Sequence, residues 1–143
     1  VCREGAMADP DLADLLARLD SEEPGDRLQA IKALGQAGEA ARSAYPLLVG
    51  ELDHADPMIR AMAASTLGKI GASFPEVVSG LCRHLDDPVF PVRFWVCDAL
   101  GRLGADAAQA LPLLEGLCED EHKAVRAAAR KAVARIKKQS TAR

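Results

Sequence analysis

The stretch Asp56-Pro57-Met58-Ile59-Arg60, running on through Ala63-Ala64 to Leu67-Gly68-Lys69-Ile70-Gly71, decides the fold. Asp56 supplies a capping carboxylate ahead of Pro57, and proline is favoured at the first helical position because its missing N–H would have no partner there. Ile59, Ala63, Leu67 and Ile70 then recur at the spacing of one helix face. Gly71 falls where a left-handed residue ends a helix. The segment therefore predicts one amphipathic helix with a defined start, face and stop.

Outward from this segment the same pattern returns every 33 residues. Arg27, Arg60, Arg93 and Arg126 form one column. Leu15, Leu48, Leu81 and Leu114 form a second, and Leu34, Leu67, Leu100 and Val133 a third. Gly35, Gly68 and Gly101 recur, as do Gly38, Gly71 and Gly104. The first glycine set lies inside a helix, where each costs about 1 kcal/mol relative to alanine; its recurrence predicts a neighbouring helix too close for a Cβ. Ahead of each such helix lies another, with stripes such as Leu12, Leu15, Leu16 and Leu19, or Tyr45, Leu48 and Leu52. Fixed-period recurrence of a helix pair means a stacked array. The expectation is an all-α fold, a right-handed α-solenoid of four helix pairs and eight helices. Helices are placed near residues 10–20, 24–37, 43–53, 57–70, 75–86, 90–103, 107–119 and 122–137. They make one domain over 9–138, with repeats at about 9–38, 42–71, 75–104 and 107–137 and flexible termini at 1–8 and 139–143.

Two copies depart from the pattern. In the third, Asp87-Pro88 comes two residues early and Pro91 follows, which is tolerable only in the first turn of the second helix. In the fourth, Arg130 replaces Ala64 and Cys97, and Lys137 replaces the terminal glycine. A polar outer face is what the end of a stack needs.

Composition narrows the function classes. Hydrophobic residues make up 49% and aromatics only 3%, so helix packing must rest on Leu, Val, Ile and Ala. A net charge of −3 argues against a generic nucleic-acid binder. No run approaches a membrane span, and no basic-then-apolar leader precedes the first helix; a cytoplasmic protein is expected. Cys2, Cys82, Cys97 and Cys118 lack metal-site spacing, and read as small buried thiols. His54, His84 and His122 fall at helix ends and are expected to be exposed. No catalytic dyad or triad is legible, and no cofactor is expected.

The residues quoted above, with Val92-Arg93, Ala99-Leu100-Gly101 and Leu103-Gly104, resemble the HEAT-like repeat of the phycobilisome-lyase group over about residues 9–137. That group includes bilin-lyase subunits, deoxyhypusine hydroxylases and scaffold proteins. The hydroxylase branch needs His-Glu pairs for a di-iron site; here His54 precedes Ala55, His84 precedes Leu85 and His122 precedes Lys123. In such proteins the second helices line the concave face. On that face the columns place Met58, Ala61, Met62, Ser65 and Lys69, with Leu28 before them and Phe94, Trp95 and Arg102 after.

Met58, Met62, Phe94 and Trp95 with Leu28 would make an apolar patch, and Trp and Met are favoured anchors in interfaces. The competing placement turns Phe94 or Trp95 inward, filling space left by alanine. Lys69, Arg102 and Arg135 form a basic row beside the patch. The arginine column at 27, 60, 93 and 126 is expected to form a ladder with the acids at 20, 53, 86 and 119. The functional expectation is a monomeric, non-enzymatic module binding a protein or peptide that is acidic and amphipathic. The alternative is a bilin-lyase-like subunit holding a linear tetrapyrrole; nucleic-acid binding ranks below both.

Overall fold

A computed structural model describes residues 12–142. It contains α1 (Leu12–Arg18), α2 (Pro24–Ala37), α3 (Tyr45–Glu51), α4 (Pro57–Lys69), α5 (Pro75–Arg83), α6 (Phe90–Leu103), α7 (Leu111–Leu117) and α8 (Lys123–Ala142). No strand occurs among the described residues. The eight expected helices are present in order, as an α-solenoid of helix pairs. Where turns were expected after Gly38 and Gly104, the chain forms 3-10 helices, Gly38–Ala44 and Gly104–Ala110, that run directly into α3 and α7. Helical turns are thus continuous over 24–51 and 90–117. Pro46 and Pro112 sit in the first turns of α3 and α7, so the α-type ladder starts no earlier than the expected 43 and 107, and in fact a few residues later.

The punctuation follows the sequence closely. Asp56 accepts from the Met58 N–H at 2.9 Å and caps α4. Pro91 lies in the first turn of α6, whose N-cap is Val89. Gly38, Gly71 and Gly104 take φ of 63°, 67° and 62°. Lys137 offers no such stop, and α8 continues to Ala142. Residues 139–142, expected to be flexible, are therefore helical, and Gln139 accepts from the Ala105 N–H at 3.3 Å. Residues 1–8 and 143 lie outside the described residues.

The second helices pack in sequence, α2 on α4, α4 on α6 and α6 on α8, with the first helices as an outer layer. The inner-layer contacts are as close as the recurring glycines predict. A Cβ on Gly68 would lie 2.8 Å from the Ala99 Cα, and one on Gly101 3.1 Å from the Ala132 Cα. One on Gly35 would lie 3.2 Å from Thr66 Oγ1, which itself donates to the Ile31 carbonyl at 3.1 Å.

The arginine ladder exists, with other partners than expected. Arg60 donates from Nε and Nη2 to both carboxylate oxygens of Asp87, at 2.9 and 3.0 Å. Arg93 does the same to Asp120 at 3.0 and 3.1 Å. Arg27 grips Glu51 with Nη1 at 3.0 and 2.9 Å. Each guanidinium also donates to the carbonyl six residues back: Ser21, His54, Asp87 and, for Arg126, Asp120. The acids at 20, 53, 86 and 119 are exposed, and Asp53 pairs with His84 rather than with an arginine. For Arg60 and Arg93 the acceptor is one residue further on, at Asp87 and Asp120, where the loop turns inward and the side chain also takes the N–H two residues ahead; Ser21 and His54 stand at that position in the first two repeats and, of these two bonds, keep only the one to the N–H. Burial pushes the Asp87 carboxyl up, but Arg60, the Val89 N–H and His84 outweigh it and hold Asp87 below the usual carboxylate range; Asp120 is lowered by Arg93 and the His122 N–H in the same way.

Gly68→Ala should lose about 2 kcal/mol, because overpacking against the Ala99 backbone exceeds the propensity gain. Gly50→Ala, with nothing within 4 Å of its Cβ, should instead gain about 0.5 kcal/mol; thermal unfolding of both variants checks the sign. The stability supplied by ionised Asp87 is present above the unfolded carboxyl pKa of about 3.9 and is lost as pH falls through the lower folded value. Asp87→Asn should therefore cost about 3 kcal/mol at pH 7 and flatten the acid limb of a denaturant-midpoint profile.

Candidate functional site

Five of the residues singled out by sequence, Leu28, Met58, Met62, Phe94 and Arg135, border two clefts between the inner-layer helices. Leu28, Met58 and Met62, with Gln29 and Lys32, line a cleft of about 220 Å³ between α2 and α4. Met58 is 57% exposed; Met62 and Leu28 are half-buried. Phe94, Asp98, Lys131 and Arg135 border a second cleft of about 210 Å³ between α6 and α8, floored by Cys97, Gly101 and Ala132. Burial, then nearby Asp120, pushes the Cys97 thiol up to about 12, so that floor is neutral and apolar.

Trp95 lines neither cleft. It is half-buried, packs on the core and meets Phe94 edge to face with ring centroids 4.9 Å apart. Ala61 and Ser65, expected on the open face, are buried at 4% each. They sit on α4, which is flanked by α2 and α6, and their side chains are too short to reach past those neighbours.

The basic row divides as well. Lys69 and Arg102 lay their alkyl stems near Gly35 and Gly68. Arg102 Nε donates to Asp98 Oδ2 at 3.0 Å, one helical turn away. Arg135 is exposed beside Lys131 at the second cleft. The Asp98–Arg102 pair escaped the column reading, although its i, i+4 spacing was visible.

The histidines are half-buried and bonded, contrary to the exposed placement expected. His54 Nδ1 accepts from the Asp56 N–H at 2.9 Å. His84 lies between Asp53 at 2.9 Å and Asp87 at 3.6 Å. His122 stacks on Phe90 with centroids 3.5 Å apart. Each fills a loop position, where a short helix-end turn brings the ring back onto backbone or a neighbouring repeat. Among the described residues no group of three or more His, Cys, Asp or Glu could hold a metal ion. Cys82, Cys97 and Cys118 are free thiols, the first and last half-buried; Cys2 lies outside the described residues.

Residues 12–101 and 90–143 match the family model for HEAT repeats. The chain belongs to the HEAT-repeat family. No curated protein matches it. Among solved structures this HEAT-repeat chain is similar to an engineered protein, with a TM-score of 0.74 and 21% identity over 89% of this chain and 62% of that one. It is similar to human deoxyhypusine hydroxylase in complex with glycerol, at 0.70 and 25%, over 90% of this chain and 44% of that one. It is also similar to the complex of CpcE and CpcF of phycocyanin lyase from Nostoc sp., at 0.63 and 22%, over 90% and 66%. The chain thus spans less than two thirds of the length of each. The lyase likeness agrees with the repeat type read from Asp56–Gly71, and the likenesses establish the fold. No helix among the described residues is long and apolar enough to cross a membrane.

The division into two clefts predicts different roles for two basic residues. Asp98→Ala should release Arg102 and leave stability within about 0.5 kcal/mol, as expected for an exposed i, i+4 pair. Chemical denaturation and a pH-independent circular dichroism spectrum would check this.

Proposed function

We propose that this HEAT-repeat chain is a monomeric, non-enzymatic binding module that takes an amphipathic, acidic helix or peptide along its inner-layer face. The observation carrying this reading is the cleft of Leu28, Met58 and Met62, whose most exposed member is a methionine. Flexible thioether side chains adapt to an apolar partner face and are favoured at binding surfaces. HEAT repeats in general mediate protein interactions, which supports the same class. Arg135 and Lys131 at the second cleft, and Lys32 at the first, would meet acidic residues on the partner's polar side.

A linear tetrapyrrole held by a lyase-like subunit is the alternative. Clefts of 220 and 210 Å³ fall below the roughly 300–1,000 Å³ of typical small-molecule sites, which favours the peptide.

The test is affinity capture from lysate with the intact chain and a Met58→Ala, Met62→Ala variant, read by mass spectrometry. The expected result is a partner retained by the intact chain and weakened about ten-fold or more, roughly 1.4 kcal/mol, in the variant, with unchanged helicity. Equal capture by both would overturn the placement in this cleft. A shifted visible band on mixing with a linear tetrapyrrole would move the reading to the lyase class, and binding that falls steeply with salt would point to nucleic acid.

A further inference from the structure

We propose that the cleft between α6 and α8 receives an aromatic side chain of the partner peptide, whose flanking carboxylates lie on Lys131 and Arg135. This rests on the reading of the inner-layer face as a peptide-binding surface and names what the partner places there. By the 33-residue register, Ala127 and Ala128 stand where α4 carries Ala61 and Met62 and where α6 carries Phe94 and Trp95. Met62, Phe94 and Trp95 pack partly buried on the core; α8 puts nothing larger than a methyl group at either place. The cation of the row withdraws as well. A Cβ on Gly35 would meet the Lys69 stem at 3.4 Å and one on Gly68 the Arg102 stem at 3.2 Å, whereas the atoms nearest one on Gly101 all belong to Ala132. What is left is a space of about 210 Å³, with Phe94 on one wall, Ala127 and Ala128 on the other, and Cys97, Gly101 and Ala132 beneath. It suits one ring rather than a ligand of the roughly 300–1,000 Å³ class.

Charge selects what flanks that ring. In α6 two positions one turn apart hold Asp98 and Arg102, which pair with each other at 3.0 Å. In α8 the same two positions hold Lys131 and Arg135, both exposed. Two cations at i and i+4 destabilise a helix, and among the described residues no acid pairs with either. The pair in α6 is made within its own helix, so the difference lies in the sequence of α8 itself. Asp98, the acid across the cleft, is already held by Arg102. The cleft is therefore apolar around Ala127 and Ala128 and positive further along. At about 1.5 Å per residue, Lys131 and Arg135 lie about 6 and 12 Å beyond Ala127 along the helix axis. Acids on residues next to an aromatic one span this range, since neighbours in an extended chain lie up to about 3.5 Å apart. An acidic segment without a ring leaves the space at Ala127 empty, and an apolar segment without acids leaves both cations unpaired.

The experiment titrates a fluorescein-labelled peptide, Gly-Glu-Phe-Glu-Asp-Gly, into the chain and its variants by anisotropy, at about 150 mM salt to screen diffuse charge effects. Ala127→Phe fills the cleft from an exposed position and should weaken binding about ten-fold or more. Lys131→Asp rebuilds the intrahelical pair seen in α6 and should weaken it by about as much. Arg83→Gln, on the outer layer, should change it by less than about two-fold. Met58→Ala, Met62→Ala should leave it unchanged, so a failure of the methionine cleft and a failure of this one read out separately. Exchanging the peptide's Phe for Ala should also cost about ten-fold. On the intact chain the Gly101 and Ala128 amide resonances should shift on peptide addition, a readout that does not depend on any variant folding. Equal binding by Ala127→Phe and the intact chain, equal binding of the peptide without its ring, no saturable binding at all, or unmoved Gly101 and Ala128 resonances would each overturn the proposal. Displacement by free 3-phenylpropionate as effective as by unlabelled peptide would make the cleft a site for a small aromatic acid and would overturn it too.

Discussion

A guanidinium that serves two neighbours at once holds this array together. At the end of each first helix the chain turns sharply and leaves carbonyls that no helix satisfies. Arg60 and Arg93 take those carbonyls and, with the opposite edge, a carboxylate of the next repeat. The bond therefore closes a loop and joins two repeats in one act. It also fixes the period, since the acid must reappear 27 residues after its arginine. The first junction breaks that register: His54 occupies the acid's position, and Glu51, one helical turn earlier, replaces it. His54 keeps only the local half of the role, accepting the Asp56 N–H. Because the pairs are nearly buried, their desolvation is costly; they act more to set register than to add net stability.

The second constraint is proximity in the inner layer. Gly68 meets the Ala99 backbone and Gly101 meets Ala132, which leaves no volume between helices for large side chains. This explains why a chain so poor in aromatics still packs: its core is Leu, Ile, Val and Ala drawn close. It also shapes the open face. Between helices this near each other lie the clefts bordered by Met62 and by Phe94.

The fold was legible because its signals are local and repeat. The punctuating glycines, the capping Asp56 and the apolar stripes each depend on backbone geometry that a few neighbouring residues set. The arginine column was legible as a ladder, but its partners were assigned one residue early. Column matching finds periodic acids; it does not tell which of two adjacent acids, Asp86 or Asp87, the loop turns inward. The open face was the least legible part. A helical wheel drawn on one helix puts Ala61 and Ser65 beside Met58 and Met62, but burial on α4 is decided by flanking helices that the wheel omits. Trp95 likewise reads as an outward anchor by register and is half-buried once Phe94 meets its edge.

The last repeat differs from the inner ones at three positions. Ala134 stands where they carry glycine, exposed Arg130 where they carry a buried residue, and Lys137 where they carry the stop glycine. Without that stop α8 runs on over Ala105, and Arg130 donates to the Cys118 carbonyl at the end of α7. Arg126 nevertheless donates to the Asp120 and Glu121 carbonyls as Arg60 does to those of His54 and Ala55. The loop half of the staple thus forms with no carboxylate bound to Arg126 among the described residues. The local bonds set the arginine's pose, and where an acid of the next repeat is present it meets a side chain already in place.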